Sequence, residues 1–94
     1  MTKYTVKYTS QFKKDIKRAQ KSNRDIELLK SIVKKLANGE ELESKYNDHP
    51  LKGNWITHRE CHIQPDWLLI YKIEADVLVL TLSRTGTHSE LFKK

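Results

Sequence analysis

The chain has 94 residues, which is enough for one small domain with a single hydrophobic core. Its single cysteine excludes an intramolecular disulfide and favours a reducing, cytoplasmic setting, while no apolar run has the length of a membrane span or a signal peptide. Eighteen basic against twelve acidic residues give a net charge of +6, which favours polyanionic partners such as nucleic acid or an acidic protein, although a basic surface also serves solubility alone.

The first part of the chain predicts a strand followed by a helix. Residues 4–8 alternate between apolar and polar side chains, which is the period of a strand with one buried face. Thr9 or Ser10 can then cap a helix. The apolar positions that share one face of this helix are Phe12, Ile16 and Ala19. The rest of its surface is rich in lysine and is expected either to be solvated or to lie against phosphates or an acidic partner.

A second helix is expected to follow directly. Ser22 or Asn23 restarts the helical pattern, and two acidic residues in the first turn suit the positive end of the helix dipole. Asn38-Gly39 supplies the left-handed residue that commonly ends a helix. The apolar stripe consists of Ile26, Leu29, Val33 and Leu36. The two helices therefore form a hairpin, and one face of a sheet would cover both apolar stripes.

Polar segments and apolar segments then alternate. Residues 40–50 are polar, and Pro50 disfavours helix at the residue before it, so Asp48-His49-Pro50 is expected to be a turn or loop. The segments expected to form strands are 55–63, 67–73 and 77–83.

The last predicted strand has a leucine face and a terminal turn after it. Leu78, Leu80 and Leu82 share one side of the strand, and this side is expected to meet the helices. Gly86 breaks the strand, and Thr87 or Ser89 starts a short helical turn that ends with Phe92. The predicted fold is α+β, a single domain over residues 1–94 in the order β-α-α-β-β-β. It is a small antiparallel sheet with an N-terminal helical hairpin on one face and a short C-terminal helical turn.

Five residues with chemically useful side chains fall in loops or at strand ends, namely His49, His62, Asp66, Arg84 and His88. Histidine gives or takes a proton near neutral pH, a carboxylate orients a group or acts as a base, and arginine neutralises a phosphate. These are the parts needed for metal-free cleavage of RNA, in which the 2′-oxygen attacks its own phosphate and the leaving 5′-oxygen is protonated. Isolated histidines are more often structural, so this site depends on the five residues converging.

Metal binding and thiol chemistry are the competing uses of this region. His58 and His62 would stand about 13 Å apart in a strand, which is too far for one ion, so neither a metal nor another cofactor is expected. Cys61 and His62 are adjacent in a strand and point to opposite faces, which favours a buried, inert thiol over a nucleophile.

The aromatic residues near these groups have two possible roles, packing in the core or stacking on an unpaired base. Packing is expected for Trp55 and Tyr71. Phe92, at the terminal turn beside His88, is expected to be exposed and to touch a base.

Several segments, in this order and spacing, resemble the YafQ-type branch of the RelE/ParE toxin superfamily. They are D-H-P-L-K-G-N-W, R-E-C-H-I-Q-P-D-W-L-L-I-Y and R-T-G-T-H-S-E-L-F, together with the Y-T-S-Q-F-K-K-D start. The resemblance spans almost the whole chain and is far more specific than any single motif in it. It implies a RelE-like fold and a bacterial type II toxin that cuts mRNA within the ribosomal A site and is silenced by a cognate antitoxin with a DNA-binding domain.

The resemblance also implies roles for individual residues. The family's cleavage motifs carry over onto four positions of this sequence as catalytic residues, namely His49, His62, Asp66 and His88. The substrate contacts implied in the same way are Trp67, Arg84 and Phe92. From these we predict that Asp66 or a neutral histidine among His49 and His62 accepts the 2′-hydroxyl proton. His88 would then protonate the leaving oxygen while Arg84 neutralises the phosphate.

Two other functions remain as alternatives at this stage. A ParE-like protein shares the fold but poisons DNA gyrase without cutting RNA, and it has no need of the histidine and aspartate set. A non-enzymatic module would bind RNA through the lysine-rich helices, with a steep salt dependence and no cleavage.

Overall fold

The computed structural model describes residues 2–92, so three residues of the predicted domain range, 1, 93 and 94, lie outside the described part. The regular elements are β1 (Thr5–Tyr8), α1 (Ser10–Lys21), α2 (Ile26–Ala37), β2 (His49–Pro50), β3 (Arg59–Gln64), β4 (Trp67–Glu74), β5 (Val79–Gly86) and α3 (His88–Leu91). Two 3-10 turns lie at Ser44–Tyr46 and Gly53–Trp55. Within the described residues no helix is long and apolar enough to span a membrane.

The five strands form one mixed sheet in the order β1-β5-β4-β3-β2. The pairs β2–β3, β3–β4 and β4–β5 are antiparallel, as predicted. Strand β1 runs parallel to β5, with Thr5 paired to Val79 and Tyr8 to Leu82. The prediction of an antiparallel sheet is wrong for this pair. A parallel pair needs a long connection, and here most of the chain, including the helical hairpin, lies between the two strands.

Local caps explain where the two long helices begin. Thr9 caps α1, as predicted: its Oγ1 accepts a hydrogen bond of 3.0 Å from the Phe12 amide and donates one of 2.7 Å to the Ser83 carbonyl. Helix α2 begins later than predicted, because Asn23 adopts the left-handed conformation and Asp25 provides the cap. The α+β class and the helical hairpin are confirmed.

One face of the sheet packs on α1 and α2 and carries most of the hydrophobic core. The buried residues of this helix-covered face are Tyr4, Phe12, Ala19, Leu29, Ile32, Leu36, Ala37, Cys61, Ile63, Trp67, Leu69, Tyr71, Leu80 and Leu82. Leu80 and Leu82 thus meet the helices as predicted. Leu78 does not, because it adopts a φ of 54° in an exposed turn and β5 starts one residue later, at Val79.

The opposite face carries a smaller apolar cluster and is covered by less of the chain. Leu68 and Ile70 pack there with Leu91 of α3, against partly buried Leu51, Trp55 and Phe92. Helix α3 is the predicted terminal turn, and it begins at a capping box in which Thr87 and Glu90 exchange hydrogen bonds. A Cβ added at Gly86 would lie 2.8 Å from Glu90 Oε1 and 3.2 Å from Leu91 Cδ2, so the close approach of α3 to the end of β5 favours a glycine here.

Two boundaries between residues 48 and 64 differ from the prediction. The strand expected from residue 55 begins at Arg59, because Gly53, with φ +66°, leads residues 53–55 into a 3-10 turn. His49–Pro50, expected to be turn or loop, is instead a short edge strand paired to Glu60 and Arg59. A proline is tolerated there because the outer side of an edge strand needs no ladder hydrogen bond.

Candidate active site

Two histidines meet at a buried carboxylate on the less covered face of the sheet. Both His49 Nε2 and His62 Nε2 lie 3.4 Å from Glu60 Oε1, and the two imidazole centroids are 6.1 Å apart. His49 pairs with Glu60 across β2 and β3, while His62 stands two residues further along β3 and so shares the face of Glu60. The sheet therefore brings together His49 and His62, as predicted, around a residue that was not predicted.

The backbone fixes the tautomer of His49. Its Nδ1 lies 2.7 Å from the carbonyl oxygen of Asn47, which can only accept a hydrogen bond, so Nδ1 carries a proton. In the neutral ring Nε2 then has a free lone pair and can take a proton from a substrate. The adjacent Glu60 carboxylate would stabilise the positive charge that this transfer creates.

A hydrogen-bond network holds the residue before His49. Asp48 Oδ1 accepts a bond of 2.6 Å from the Tyr71 hydroxyl and one of 3.3 Å from Arg59 Nε. Burial and the bond to Asp48 raise the pKa of Tyr71, which therefore remains a donor at neutral pH. Tyr71 packs in the core as predicted, and its polar end anchors the segment that presents His49.

His88 approaches the same face from the far end of β5. His62 pairs with Leu68, and Leu68 pairs with Gly86, so the backbones of His62 and Gly86 lie two strand spacings apart, about 10 Å. His88 is the exposed first residue of α3, two residues after Gly86, and its ring centroid is 4.9 Å from that of Phe92. The strand pairing thus places the start of α3 two strands away from His62, at the same end of the sheet.

Asp66 and Phe92 lie at this same end of the sheet. Asp66 is exposed in the turn between β3 and β4, just beyond the ladder pair Gln64–Trp67. Phe92 is half-buried, with one side on the small apolar cluster and the other near His88. Their predicted catalytic and base-contacting roles stay predictions.

Arg84 is held by a buried carboxylate of α1. Its Nε and Nη2 donate to Asp15 at 2.8 and 3.2 Å, and the Thr85 amide donates to the same carboxylate at 3.1 Å. These contacts form beyond Leu82, where β1 has ended and the edge of β5 is free. The phosphate contact by Arg84 stays a prediction, and in this structure the guanidinium is held by Asp15 of α1.

Trp67 cannot contact a substrate from its position in this structure. Its side chain is 0% exposed and belongs to the core on the helix-covered face, with the Arg24 guanidinium 5.7 Å from its ring centroid. The prediction of a substrate contact is therefore wrong. The role came from the family resemblance, but in this structure β4 turns the indole toward the helices.

Cys61 is an inert core residue, as predicted. Its side chain is fully buried. Cys61 is adjacent in sequence to Glu60 and His62, but it points to the opposite face of β3. Burial, with further contributions from Asp48 and Glu60, raises the pKa of this thiol to about 12. It is therefore protonated and unreactive at neutral pH.

The histidine cluster also has the spacing of a metal site. One ligand atom from each of His49, Glu60 and His62 can lie within 4.8 Å of the others. The absence of a metal was predicted from a different pair, His58 and His62. That no metal binds this protein stays a prediction.

Two buried carboxylates that hold site residues, Glu60 and Asp15, were not predicted, and both had a signal in the sequence. Glu60 lies at spacing two from His62 in a strand, which places the two on one face. Asp15 falls within the apolar stripe of α1, between Phe12 and Ala19, where a charged residue implies a buried partner.

The sequence of this chain is similar to a known family over nearly its whole length. A family model described as "Bacterial toxin of type II toxin-antitoxin system, YafQ" matches residues 4–93. The chain belongs to the YafQ toxin family. A curated YafQ relative, "mRNA interferase toxin YafQ" of Escherichia coli (strain K12), is 42% identical over 93 residues, covering 98% of this chain and 99% of the relative.

Solved structures of YafQ relatives share the fold over nearly their whole length. The crystal structure of the E. coli DinJ-YafQ toxin-antitoxin complex matches with a TM-score of 0.88 and 42% identity, covering 96% of this chain and 98% of that one. The crystal structure of a metal-bound toxin from Helicobacter pylori matches with a TM-score of 0.89 and 44% identity, covering 98% and 100%. The predicted YafQ-type, RelE-like architecture is confirmed.

Proposed function

We propose that this protein is the toxin of a type II toxin-antitoxin system and an endoribonuclease that cleaves mRNA in the ribosomal A site. The observation that carries the proposal is the pair His49 and His62 at Glu60. His88, at the start of α3, is proposed to complete the site. Membership of the YafQ family and the name of the E. coli relative support the substrate class. The site of action would be the cytoplasm, where translated mRNA is found.

The first half of the reaction is removal of a proton from the ribose. With Nδ1 donating to the Asn47 carbonyl, His49 presents Nε2 to the 2′-hydroxyl and takes its proton as the 2′-oxygen attacks the adjacent phosphorus. The imidazolium that forms is stabilised by Glu60. His62, at the same carboxylate, supplies a second positive charge or hydrogen bond near the phosphate.

The second half is protonation of the leaving group. The bond from phosphorus to the 5′-oxygen of the next nucleotide breaks, and His88 gives its proton to that oxygen. The products are a 2′,3′-cyclic phosphate and a 5′-hydroxyl, and no metal or other cofactor enters this scheme. Asp66 stands as the alternative base, Phe92 as a base contact and Arg84 as the group that offsets phosphate charge.

The partner that silences the toxin is proposed to be an acidic segment of an antitoxin that also carries a DNA-binding domain. The E. coli relative was crystallised with DinJ as a toxin-antitoxin complex, which supports a protein partner of this class. The net charge of +6 of this chain supports an acidic partner segment. Exposed lysines of the helices include Lys13, Lys14, Lys17, Lys21, Lys30 and Lys34.

The experiment that tests the proposal is inducible expression in bacteria with mapping of mRNA 5′ ends. Wild type is expected to give in-frame cuts confined to translated messages. His88→Ala should lower the cleavage rate by roughly 10²- to 10⁴-fold, because a general acid contributes about this much. His88 is exposed, so the fold should persist, and Ser89→Ala, an exposed neighbour in the same helix, is the matched control.

Two results would contradict the proposal. If His88→Ala cuts ribosome-bound mRNA at the rate of Ser89→Ala, the acid assignment is wrong. If wild type leaves all messages intact and instead traps gyrase on DNA, the protein acts as a gyrase poison, which is the alternative within the same superfamily.

A further inference from the structure

A pocket of about 560 Å³ opens beside His62, at the outer edge of β3. Its walls are formed mainly by Leu28 of α2, the segment Lys45-Tyr46-Asn47 and the two strand residues His62 and Gln64. The volume lies within the range of about 300–1,000 Å³ that is usual for small-molecule sites. His62 belongs to both the pocket and the histidine cluster, so the two are continuous.

The sheet topology explains why this pocket exists. The short strand β2 pairs only with Arg59 and Glu60, so within residues 2–92 no strand pairs with the outer edge of β3 from residue 61 onward. The 3-10 turn Ser44–Tyr46 packs near this edge in place of a strand. A register shift between His62 and Gln64 adds to the irregularity, and such bulges often lie beside functional sites.

The lining has the chemistry that recognises a nucleotide. Tyr46 is half-buried against the core, which fixes a ring on which a base can stack. Asn47 and Gln64 end in amides, which donate and accept hydrogen bonds at the edges of bases. Lys45 is exposed, with Nζ 5.2 Å from the Tyr46 ring centroid, where it can also reach a phosphate.

We propose that this pocket binds the nucleotide of the mRNA that adjoins the scissile phosphate, and that Gln64 helps to select its base. The inference rests on the proposed ribonuclease function and adds to it a separate recognition site. His49, Glu60 and His62 would carry out the chemistry at one end, while the pocket past His62 holds the neighbouring base. Specificity would then come from β3 and the turn before β2, and not from the catalytic histidines.

A nucleotide suits this pocket better than a protein segment for two reasons. The pocket shares His62 with the histidine cluster, where the phosphodiester would bind, so a single RNA strand could occupy both. Its charged group, Lys45, is positive, and the amides offer both donors and acceptors at an otherwise apolar wall.

The test is single-turnover cleavage of ribosome-bound mRNAs that differ by one nucleotide in the A-site codon. Gln64→Ala is expected to reduce the discrimination between preferred and disfavoured bases by about 5- to 50-fold, since a good amide to base contact contributes discrimination of that order. Gln20→Ala, an exposed glutamine on α1, is the matched control and should keep the wild-type preference.

Lys45→Ala is expected to act differently. It should raise KM for all codons alike, leave kcat near that of wild type, and lower the slope of log affinity against log salt by about one. Its control is Lys30→Ala. Both lysines are exposed and each lies near a glutamate, Lys30 near Glu27 and Lys45 near Glu43.

The outcomes separate this inference from the proposed function. If wild type does not cut ribosome-bound mRNA, the proposed function itself fails. If wild type cuts, but Gln64→Ala ranks the codons as Gln20→Ala does, the pocket is not a base site. If Lys45→Ala and Gln64→Ala weaken only antitoxin binding, the pocket is a protein-docking site and the inference is likewise overturned.

Discussion

Among residues 2–92, two carboxylates are buried, and their surroundings differ in kind. Asp15, 2% exposed, accepts five hydrogen bonds of 2.8 to 3.3 Å, and their donors belong to Gln11, Arg18, Arg84 and Thr85. Glu60, 5% exposed, has two imidazole nitrogens at 3.4 Å, beyond the usual length of a charge-assisted hydrogen bond. Asp15 is satisfied by the fold alone, whereas Glu60 is not.

The difference teaches which carboxylate serves structure and which serves chemistry. Asp15 joins α1 to the free edge of β5, and through Arg18 and Glu90 the connection continues to α3, which carries His88. Glu60 retains capacity to stabilise charge that appears on its histidine neighbours. Titratable groups that lie close together, as Glu60 does with its two histidines, are found preferentially at functional sites.

The largest effect on stability is expected at Asp15. Asp15→Asn removes the negative charge that compensates a largely buried Arg84 guanidinium, and should lower the free energy of unfolding by about 3 kcal/mol. Urea denaturation measures this. Asp25→Asn is the control, because Asp25 is an exposed helix cap and asparagine caps equally well. An equal, small loss for both variants would contradict the structural role of Asp15.

The opposite pattern is expected at Glu60. Glu60→Gln should lower the single-turnover cleavage rate by about 10²-fold, because the developing imidazolium loses its counter-charge. The free energy of unfolding should change by less than about 1 kcal/mol, since a poorly satisfied buried charge contributes little to stability. Glu74→Gln, exposed in β4, is the control for rate and stability. If Glu60→Gln lowers the free energy of unfolding but leaves the cleavage rate unchanged, Glu60 has a structural role like that of Asp15, and the prediction is contradicted.

The smallest effect concerns Cys61, the neighbour of Glu60 on the opposite face of β3. Its pKa is raised to about 12 from an ordinary value of 9.0, so above pH 9 the folded chain retains a proton that the unfolded chain releases. The free energy of unfolding should therefore fall, by about 1 kcal/mol, between pH 9 and pH 10. Above pH 10 Tyr71, whose pKa is also raised, adds to the decline. Denaturation of Cys61→Ala should show a flatter profile between pH 9 and pH 10, and parallel profiles would contradict the assignment.

Much of the fold was predictable because it depends on local patterns. The alternation in residues 4–8, the apolar stripes of α1 and α2 and the capping residues Thr9 and Thr87 are signals within one element. The elements α2, β3 and β5 start later than predicted because Asn23, Gly53 and Leu78 adopt positive φ angles before them. Such a conformation depends on what packs around the residue.

The candidate site was predictable only in part. The histidines were identified by residue type and by the resemblance, and His49 and His62 do meet. The resemblance implied a substrate contact for Trp67, but it carried no information on burial, and Trp67 lies in the core while its neighbour Asp66 is exposed. Glu60 was overlooked because glutamate is common in exposed strands, and its burial depends on β2 and β4 on either side.

By itself the sequence determined the family, the α+β class, the helical hairpin and the residues capable of acid-base chemistry. These follow from local periodicity, side-chain pKa and segments of fixed spacing. Only the tertiary structure decided that β1 runs parallel to β5, that Glu60 joins His49 to His62 and that Asp15 holds Arg84. Each of these contacts joins residues of different strands or helices. Strand order and register, which bring such residues together, depend on how the whole sheet packs against its helices.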